Sequence, residues 1–173
     1  VNALSERLRT IYQDRGQVQH QNIEFECSVS NKNMLLPFSI GERVRFSKND
    51  YRLGVSNGSL GTLKSLEHIN SQWIFSVTLD SGQIVNFSQD QYIDELGHLP
   101  LVHAYAMTVY SSQGVTVDGD TFILYNQSMD RANTYVAGSR HKDNSHFFIN
   151  RNDIDHLNIE TNSDIEKLSN LMA

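Results

Sequence analysis

The chain has 173 residues, a formal net charge of −6 at pH 7 and a pI of about 5.6. Apolar residues make up 39% of it and charged residues 20%, which indicates a folded domain and excludes wholesale disorder. The acidic charge argues against a strong independent affinity for nucleic acid, because phosphate contacts usually need a basic surface. No apolar run is long enough to predict a membrane span, and the single cysteine, Cys27, favours a reduced, cytoplasmic setting.

An amphipathic helix is predicted over residues 1–16. Apolar residues recur there at helical spacing before Gly16, which is a natural stop: they are Val1, Leu4, Leu8 and Ile11. The helix opens without a capping residue ahead of it, so we expect that the sequence begins inside a larger protein. Residues 17–40 are polar and only weakly patterned.

Short β-strands joined by tight turns are predicted from about Ile40 to Leu96. Alternation or short apolar runs mark four segments, at 43–46, 60–66, 73–79 and 84–87. The dipeptide Asn57-Gly58 and the triplet Asp80-Ser81-Gly82 predict turns. Strands at this spacing favour a small antiparallel barrel, although a plain β-meander would have the same spacing.

Alternating strand and helix patterns follow Pro100. Residues 101–109 are apolar, and the continuous run 121–125 is typical of a buried strand. A helix is predicted from about Met129 to Arg140 and a strand over 146–149, which together indicate a parallel α/β layer. A weak helix is predicted near the end of the chain, with Ile165, Leu168 and Leu171 on one face.

The chain lacks the residues that hold ATP on a P-loop. Its glycine-rich stretch 54–62 has no lysine beside Gly61 and lies between β segments, which favours turn glycines over phosphate binding. No acidic pair ends an apolar strand to hold Mg²⁺, since Asp118 and Asp120 are typical of a turn. We therefore expect no ATP hydrolysis by this chain alone. No metal site is predicted, because the histidines lack a shared ligand spacing: His98, His103, His141 and His146.

The strongest signal is the stretch 105–114, Tyr-Ala-Met-Thr-Val-Tyr-Ser-Ser-Gln-Gly. It resembles the fifth conserved motif of superfamily 1 DNA helicases in the conjugative relaxase-helicase or RecD-like branch, commonly Tyr-Ala-x-Thr-Val-His-Lys-Ser-Gln-Gly. A strand-to-helix junction is predicted here, which would expose backbone N–H groups to a phosphate.

The resemblance implies a role for five side chains or backbone positions in this stretch. Thr108 and Ser112 would face the DNA backbone, while Gln113 and Gly114 would lie nearer the nucleotide. Tyr110 replaces the usual histidine and could stack on a base. The usual basic residue is replaced by a serine at 111, which removes one phosphate contact.

The stretch 135–140, Tyr-Val-Ala-Gly-Ser-Arg, resembles the sixth motif of the same helicases, usually Tyr-Val-Ala-Leu-Ser-Arg. The resemblance implies that Arg140 is an arginine finger, because a guanidinium is always charged and grips phosphate oxygens in a fork. Gly138 replaces the usual leucine and should weaken the helix by about 1 kcal/mol. Without the resemblance, Arg140 would be a solvated cation at the end of a helix.

The β-rich region resembles the SH3-like insert of this helicase branch, through Gly-Glu-Arg-Val at 41–44, Gly-Val-Ser-Asn-Gly at 54–58 and Gly-Thr at 61–62. The implied fold is α/β: a RecA-like second motor domain, split into 1–39 and 99–173, with a small antiparallel SH3-like β-barrel inserted at 40–98. Lys48 and Arg52 are candidate contacts to the DNA backbone, and a solvated charged face explains them equally well. Trp73 is predicted to lie in the barrel core.

The resemblance implies a function as the C-terminal part of an ATP-dependent single-stranded-DNA translocase or helicase. ATP and Mg²⁺ would be bound mainly by a first motor domain outside this chain. The implied partners are single-stranded DNA, that first domain in cis, and conjugation or recombination proteins, with no membrane. The alternative is a vestigial helicase module that binds single-stranded DNA or docks a partner without catalysis.

Overall fold

The computed structural model describes residues 2–29, 32–126 and 128–152. The chain divides into two compact units, unit 1 at Val1–Met107 and unit 2 at Thr108–Ala173. The division expected at residues 39/40 and 98/99 remains a prediction. Within the described residues, no helix is long and apolar enough to cross a membrane.

Unit 1 begins with helix α1, Asn2–Asp14, which confirms the predicted helix. Its buried side is not the apolar stripe, because Leu4 and Ile11 are 45% and 42% exposed. Ser5 and Arg9 are buried in their place, each 8% exposed. An arginine can occupy a buried position only where a partner neutralises its charge, and that partner is distant in sequence.

A β-hairpin follows α1 in the stretch that appeared weakly patterned. Strand β1, Ile23–Val29, pairs in antiparallel register with strand β2, Lys32–Phe38. Phe25 and Cys27 alternate with exposed glutamates along β1, so one face of the hairpin joins the core. Burial raises the pKa of the Cys27 thiol to about 12, so it stays protonated.

Five further strands form one antiparallel sheet, in the spatial order β6-β5-β4-β3-β7. Their bounds are β3 Arg43–Phe46, β4 Leu60–Ile69, β5 Gln72–Leu79, β6 Ile84–Ser88 and β7 Leu101–His103. The four predicted strands are confirmed, and β7 extends the sheet past residue 98 by returning beside β3. Among the described residues no strand pairing closes this sheet into a barrel.

Glycines allow two tight features of the sheet. The predicted turn after β5 is confirmed: Gly82 has a φ of +87° and donates its N–H to the Leu79 carbonyl at 2.9 Å. Gly61 lies where a β-carbon would approach the Thr78 carbonyl oxygen to 2.7 Å. Within the glycine-rich stretch, Gly54 and Gly58 lie in turns with positive φ, as predicted, whereas Gly61 lies inside β4. The sheet and hairpin enclose a core whose largest buried side chains are Phe38, Phe46, Phe75, Phe87 and Tyr92.

Unit 2 contains a strand-helix-strand arrangement. Strands β8, Thr121–Leu124, and β9, Ser145–Phe148, are parallel, and helix α2, Arg131–Gly138, connects them. Asp130 caps α2 by accepting the Asn133 N–H at 2.7 Å. The predicted parallel α/β layer is confirmed. The prediction that the whole run 121–125 is buried is wrong. Its residues alternate, with Ile123 and Tyr125 buried and the intervening side chains exposed. The predicted C-terminal helix lies outside the described residues.

Candidate functional site

The stretch 108–114 forms a compact turn around a short 3₁₀ helix, Tyr110–Ser112. Thr108 Oγ1 accepts the Ser111 N–H at 3.1 Å and shares a hydrogen bond of 2.7 Å with the Ser111 hydroxyl. Because only one of these two hydroxyls donates to the other, one hydroxyl proton remains available to an outside acceptor. This proton is on Thr108 when Ser111 donates and on Ser111 when Thr108 donates, and Thr108 is the exposed residue of the two.

The other polar groups of the turn are mostly satisfied internally. The Ser112 hydroxyl donates to the Val109 carbonyl at 2.7 Å, which leaves its oxygen free only to accept hydrogen bonds. The N–H of Gln113 donates to the Tyr110 carbonyl, and that of Val115 donates to the Ser112 carbonyl. The predicted strand-to-helix junction is wrong, because the 3₁₀ turn precedes Gly114 and no helix follows it before Thr121.

Three positions of the turn point into open space. Tyr110 is 80% exposed, which leaves its ring free to stack. Gln113 is exposed, and Gly114 has a φ of +82° in a place where an added β-carbon would meet nothing within 4 Å. Glycine is therefore favoured at 114 by the left-handed backbone and not by lack of space.

Arg140 follows the end of α2 and folds back onto it. Its Nε donates to the Val136 carbonyl at 2.9 Å, and its Nη2 donates to the Ser139 hydroxyl at 2.8 Å. A guanidinium at this place satisfies carbonyls that the helix leaves unpaired and complements the helix dipole. In this geometry Arg140 is a cation at the end of a helix, which is the role expected for it without the family resemblance.

Gly138, the last residue of α2, packs against β9. A β-carbon at 138 would lie 3.3 Å from Phe147 Cζ, and the Gly138 carbonyl accepts the Ser145 hydroxyl at 2.9 Å. A leucine, usual at this position, would require that aromatic ring to shift by a few tenths of an ångström. The departure from the motif therefore has a packing reason within unit 2.

Backbone pairing brings the two motif segments together. Val117 donates its N–H to the Arg140 carbonyl at 2.7 Å and accepts the Lys142 N–H at 3.0 Å. Val117 and His141 thus form a parallel bridge that continues the register of β8 and β9. Gly114 is three residues from this bridge and Arg140 is adjacent to it, so the chain segments that carry them meet at one end of the β8–β9 pair.

The candidate DNA-binding cations of unit 1 are held by neighbouring groups. Lys48 Nζ donates to the Ile93 carbonyl at 2.9 Å. Arg52 forms an ion pair of 2.9 Å with Asp50, and its hydrogen bond lowers the pKa of that carboxyl. Asp50 compensates the charge of Arg52, whereas the Ile93 carbonyl orients Lys48 without neutralising it, so one of the two candidate charges is already paired.

The remaining predicted residues have structural roles. Trp73 is half-buried and packs edge-on against Phe25, with ring centroids 5.9 Å apart, at the border of the core. Asp120 accepts hydrogen bonds from Asn144 and from His146 Nε2, and the histidine is the main cause of its lowered pKa. Within the described ranges no group of His, Cys, Asp or Glu could hold a metal ion.

A buried polar cluster in unit 1 was not predicted from the sequence. Arg9 and Glu42 form an ion pair whose side chains are 10% and 0% exposed, and Tyr105 donates its hydroxyl to Glu42 at 2.6 Å. The one signal available was an arginine four residues after Ser5 on the same helical face. Its partner 33 residues later has no local signature.

No family model matches the chain. Conjugal transfer proteins, however, are similar to it in sequence. Probable conjugal transfer protein TraA of Sinorhizobium fredii (strain NBRC 101917 / NGR234) is 31% identical over 143 residues, which are 83% of this chain and 12% of that protein. Conjugal transfer protein TraA of Agrobacterium fabrum (strain C58 / ATCC 33970) is 34% identical over 106 residues, 61% of this chain and 9% of that protein. The chain thus spans only a small part of the length of these relatives.

Solved structures of Pif1 share the fold. A Pif1 helicase from Bacteroides in complex with ADP-AlF3 and ssDNA superimposes with a TM-score of 0.56 at 22% identity, covering 95% of this chain and 42% of that chain. Bacteroides Pif1 bound to ssDNA gives a TM-score of 0.53 at 23% identity, over 86% of this chain and 40% of that chain. The sequence relatives place the chain in the family of the TraA conjugal transfer proteins, and the chain shares its fold with part of the Pif1 structures.

Proposed function

We propose that this chain is the C-terminal part of an ATP-dependent single-stranded-DNA translocase or helicase of the conjugative relaxase-helicase type. The observation that carries the proposal is the bridge between Val117 and His141, which brings the segments of Gly114 and Arg140 to one end of β8 and β9. A helicase needs both segments near one cleft, because DNA grip must change with the state of the nucleotide.

The DNA grip is assigned to the 108–114 turn. The Thr108–Ser111 hydroxyl pair has one proton for a phosphate, Ser112 donates to a phosphate once its hydroxyl leaves the Val109 carbonyl, and Tyr110 presents a ring on which a base can stack. Lys48 and Arg52 of unit 1 add weaker contacts, since each exchanges an internal partner for a phosphate. The proposed grip therefore uses few charges, in keeping with the acidic chain.

The nucleotide side of the proposal consists of Gln113, Gly114 and Arg140. Arg140 acts as the arginine finger after leaving the end of α2, where it gives up two hydrogen bonds. The two bonds that are lost have a charged donor and neutral acceptors, whereas a phosphate adds an opposite charge, so the exchange is favourable. ATP and Mg²⁺ are held mainly by a first motor domain that joins this chain in cis, and the described residues offer no acidic cluster for the metal.

The domain organisation belongs to the same proposal. Residues 1–39 and 99–173 form a split RecA-like motor domain, and 40–98 form an SH3-like insert. Support for the insert comes from strands β3 to β6, which lie within 40–98 and pair with one another as an antiparallel meander. Conjugation or recombination proteins are proposed partners, and a cytoplasmic location is proposed for the whole protein.

A vestigial module is the second candidate, favoured by two observations. The guanidinium of Arg140 caps its own helix, and the basic residue usual at position 111 is a serine. In this alternative the chain binds single-stranded DNA or a protein partner without contributing to ATP hydrolysis.

ATP turnover by a protein that joins this chain to its first motor domain tests the proposal. Arg140→Ala should lower kcat by about a thousandfold or more and spare nucleotide binding, because a finger acts on the transition state. Arg131→Ala, an exposed arginine at the start of the same helix, is the matched control and should leave kcat unchanged. Unchanged turnover in Arg140→Ala would remove this residue from the site, and an inactive parent would favour the vestigial alternative.

A further inference from the structure

An open cavity of about 140 Å³ lies at the edge of the core of unit 1. His68 of β4 and Trp73 of β5 line it, and these two residues are opposite each other in the paired strands. Phe75, two residues after Trp73 on the same face of β5, is fully buried. The cavity therefore begins where the closed part of the core ends.

Two ring systems form one wall of the cavity. The ring centroids of His68 and Trp73 are 4.8 Å apart, and the indole also packs nearly perpendicular to the buried Phe25 ring. Ile23 and Leu66 add aliphatic surface, and both pack against the core. Because the core holds these side chains in place, the wall is formed before any ligand binds, as is usual for small-molecule sites.

Several polar groups around the cavity have no partner within the fold. Among the hydrogen bonds described, none involves the side-chain amides of Gln19 and Gln21, the His68 ring or the Trp73 indole N–H. The hydroxyl of Ser39, by contrast, is already bonded inside unit 1. The two amides offer donors and acceptors together, so they can recognise a ligand that presents both.

The chemistry of the lining excludes a charged ligand. No Asp, Glu, Lys or Arg lines the cavity, so a phosphate or a carboxylate would lose water there without gaining a counter-charge. The volume suits one aromatic ring, because a closed cavity of about 150 Å³ holds a benzene molecule. A neutral ring with donors and acceptors on its edge matches both the apolar wall and the amides. Nucleobases have these properties, since they stack on indole rings and pair with glutamine amides.

We propose that this cavity binds one unstacked nucleobase, which stacks on Trp73 and accepts and donates hydrogen bonds at Gln19 and Gln21. That the base belongs to single-stranded DNA rests on the function proposed above, whereas the preference of the cavity for a base does not. Such a site adds affinity without a phosphate contact, in keeping with the acidic chain.

The fluorescence of Trp73, the one tryptophan of the chain, reports on the cavity directly. Titration with oligo(dT) should quench it to saturation, because a stacked base contacts the indole, whereas collisional quenching would rise without saturating. An abasic oligomer of the same length has the same phosphates and no bases, and we expect it to leave the fluorescence unchanged. Thymidine should also quench to saturation, with lower affinity than the oligomer.

Truncation of the two amides tests the hydrogen bonds. Gln19→Ala combined with Gln21→Ala should weaken the quenching titration with oligo(dT) by about five- to a hundredfold, the range expected for losing two hydrogen bonds. His20→Ala is the matched control, because His20 lies between the two glutamines and does not line the cavity. All three residues are exposed, so unit 1 should stay folded, and equal urea midpoints for the variants would verify this.

Anisotropy of labelled oligo(dT), measured with the same protein, separates this inference from the proposed function. If Thr108→Ala leaves binding intact while saturable quenching persists, the base site stands and the DNA grip at 108–114 is wrong. Binding without quenching of Trp73, equal quenching by the abasic oligomer, or no response to oligo(dT) at all would overturn the base site. Saturable quenching by a proline-rich peptide and none by oligo(dT) would assign the cavity to a protein partner, which also overturns the proposal.

Discussion

Two arginine–carboxylate pairs in unit 1 differ chiefly in burial, which allows the cost of a buried charge to be predicted. Arg9 and Glu42 are 10% and 0% exposed, whereas Arg43 and Asp80 are 31% and 51% exposed. Both pairs are close, with shortest nitrogen–oxygen distances of 2.9 and 2.7 Å. Geometry is therefore similar in the two pairs, and solvent access is not.

Truncating the carboxylate should have different effects at the two sites. Glu42→Ala leaves the Arg9 guanidinium buried without a counter-charge, and we expect the free energy of unfolding to fall by about 3–5 kcal/mol. Asp80→Ala releases Arg43 to solvent, and we expect a loss of about 0.2–1 kcal/mol. Urea titration followed by the fluorescence of Trp73, the single tryptophan, reports on unit 1 specifically.

Equal losses at the two sites would refute this reasoning. If Glu42→Ala and Asp80→Ala lower the stability of unit 1 by the same amount, Glu42 is not buried in solution as described. An apolar double replacement, Arg9→Met with Glu42→Leu, provides the second control. It should recover much of the loss in Glu42→Ala, because no uncompensated charge remains in the core.

Three further substitutions test particular packing and electrostatic features. Gly61→Ala should lower the stability of unit 1 by about 1–3 kcal/mol in the same titration, because its β-carbon would meet the Thr78 carbonyl at 2.7 Å; a neutral effect would contradict the close approach. Gly138→Leu should speed hydrogen exchange in β8 and β9, since the Phe147 ring must shift, and unchanged exchange would show that the ring yields freely. The pKa of Asp94 is lowered to about 2, mainly by a serine hydroxyl of β1, so its stabilisation is present above about pH 4 and lost as the pH falls towards 2. The difference in Tm between the wild type and Asp94→Asn should accordingly shrink between pH 6 and pH 2, and a constant difference would exclude this carboxyl.

Local patterns predicted most of the sheet in unit 1. The alternation of Val44 and Phe46 with exposed or half-exposed neighbours has the period of a strand, and Gly82 marks a turn that needs a positive φ. Strand β7 was less visible, because its apolar run continues to residue 109 while the pairing with β3 ends at His103. A run of apolar residues gives no signal for where its hydrogen-bonding partner stops.

Features that depend on distant partners were not predictable in this way. Arg9 is buried because Glu42 lies opposite it, and no periodicity in α1 indicates a residue 33 positions later. The hairpin β1–β2 could have been predicted from the alternation of Phe25 and Cys27 with glutamates, but its polar exposed face obscured the pattern.

Motif resemblance supplied the residues of the candidate site, and their geometry could not be predicted from it. Motif resemblance selected Thr108 and Arg140, which are both accessible in the structure. It could not indicate that Thr108 shares its hydroxyl with Ser111, or that Arg140 caps α2. Such contacts depend on side-chain rotamers that a motif does not specify.

Fluorescence anisotropy of this chain with labelled single-stranded DNA, at several salt concentrations, tests the central claim most directly. We predict weak binding with a shallow dependence on salt, because the acidic chain offers few phosphate contacts, and further weakening in Thr108→Ala. Binding that Thr108→Ala leaves unchanged, or submicromolar affinity at physiological salt, would contradict a DNA grip that resides in the 108–114 turn and needs a partner motor domain.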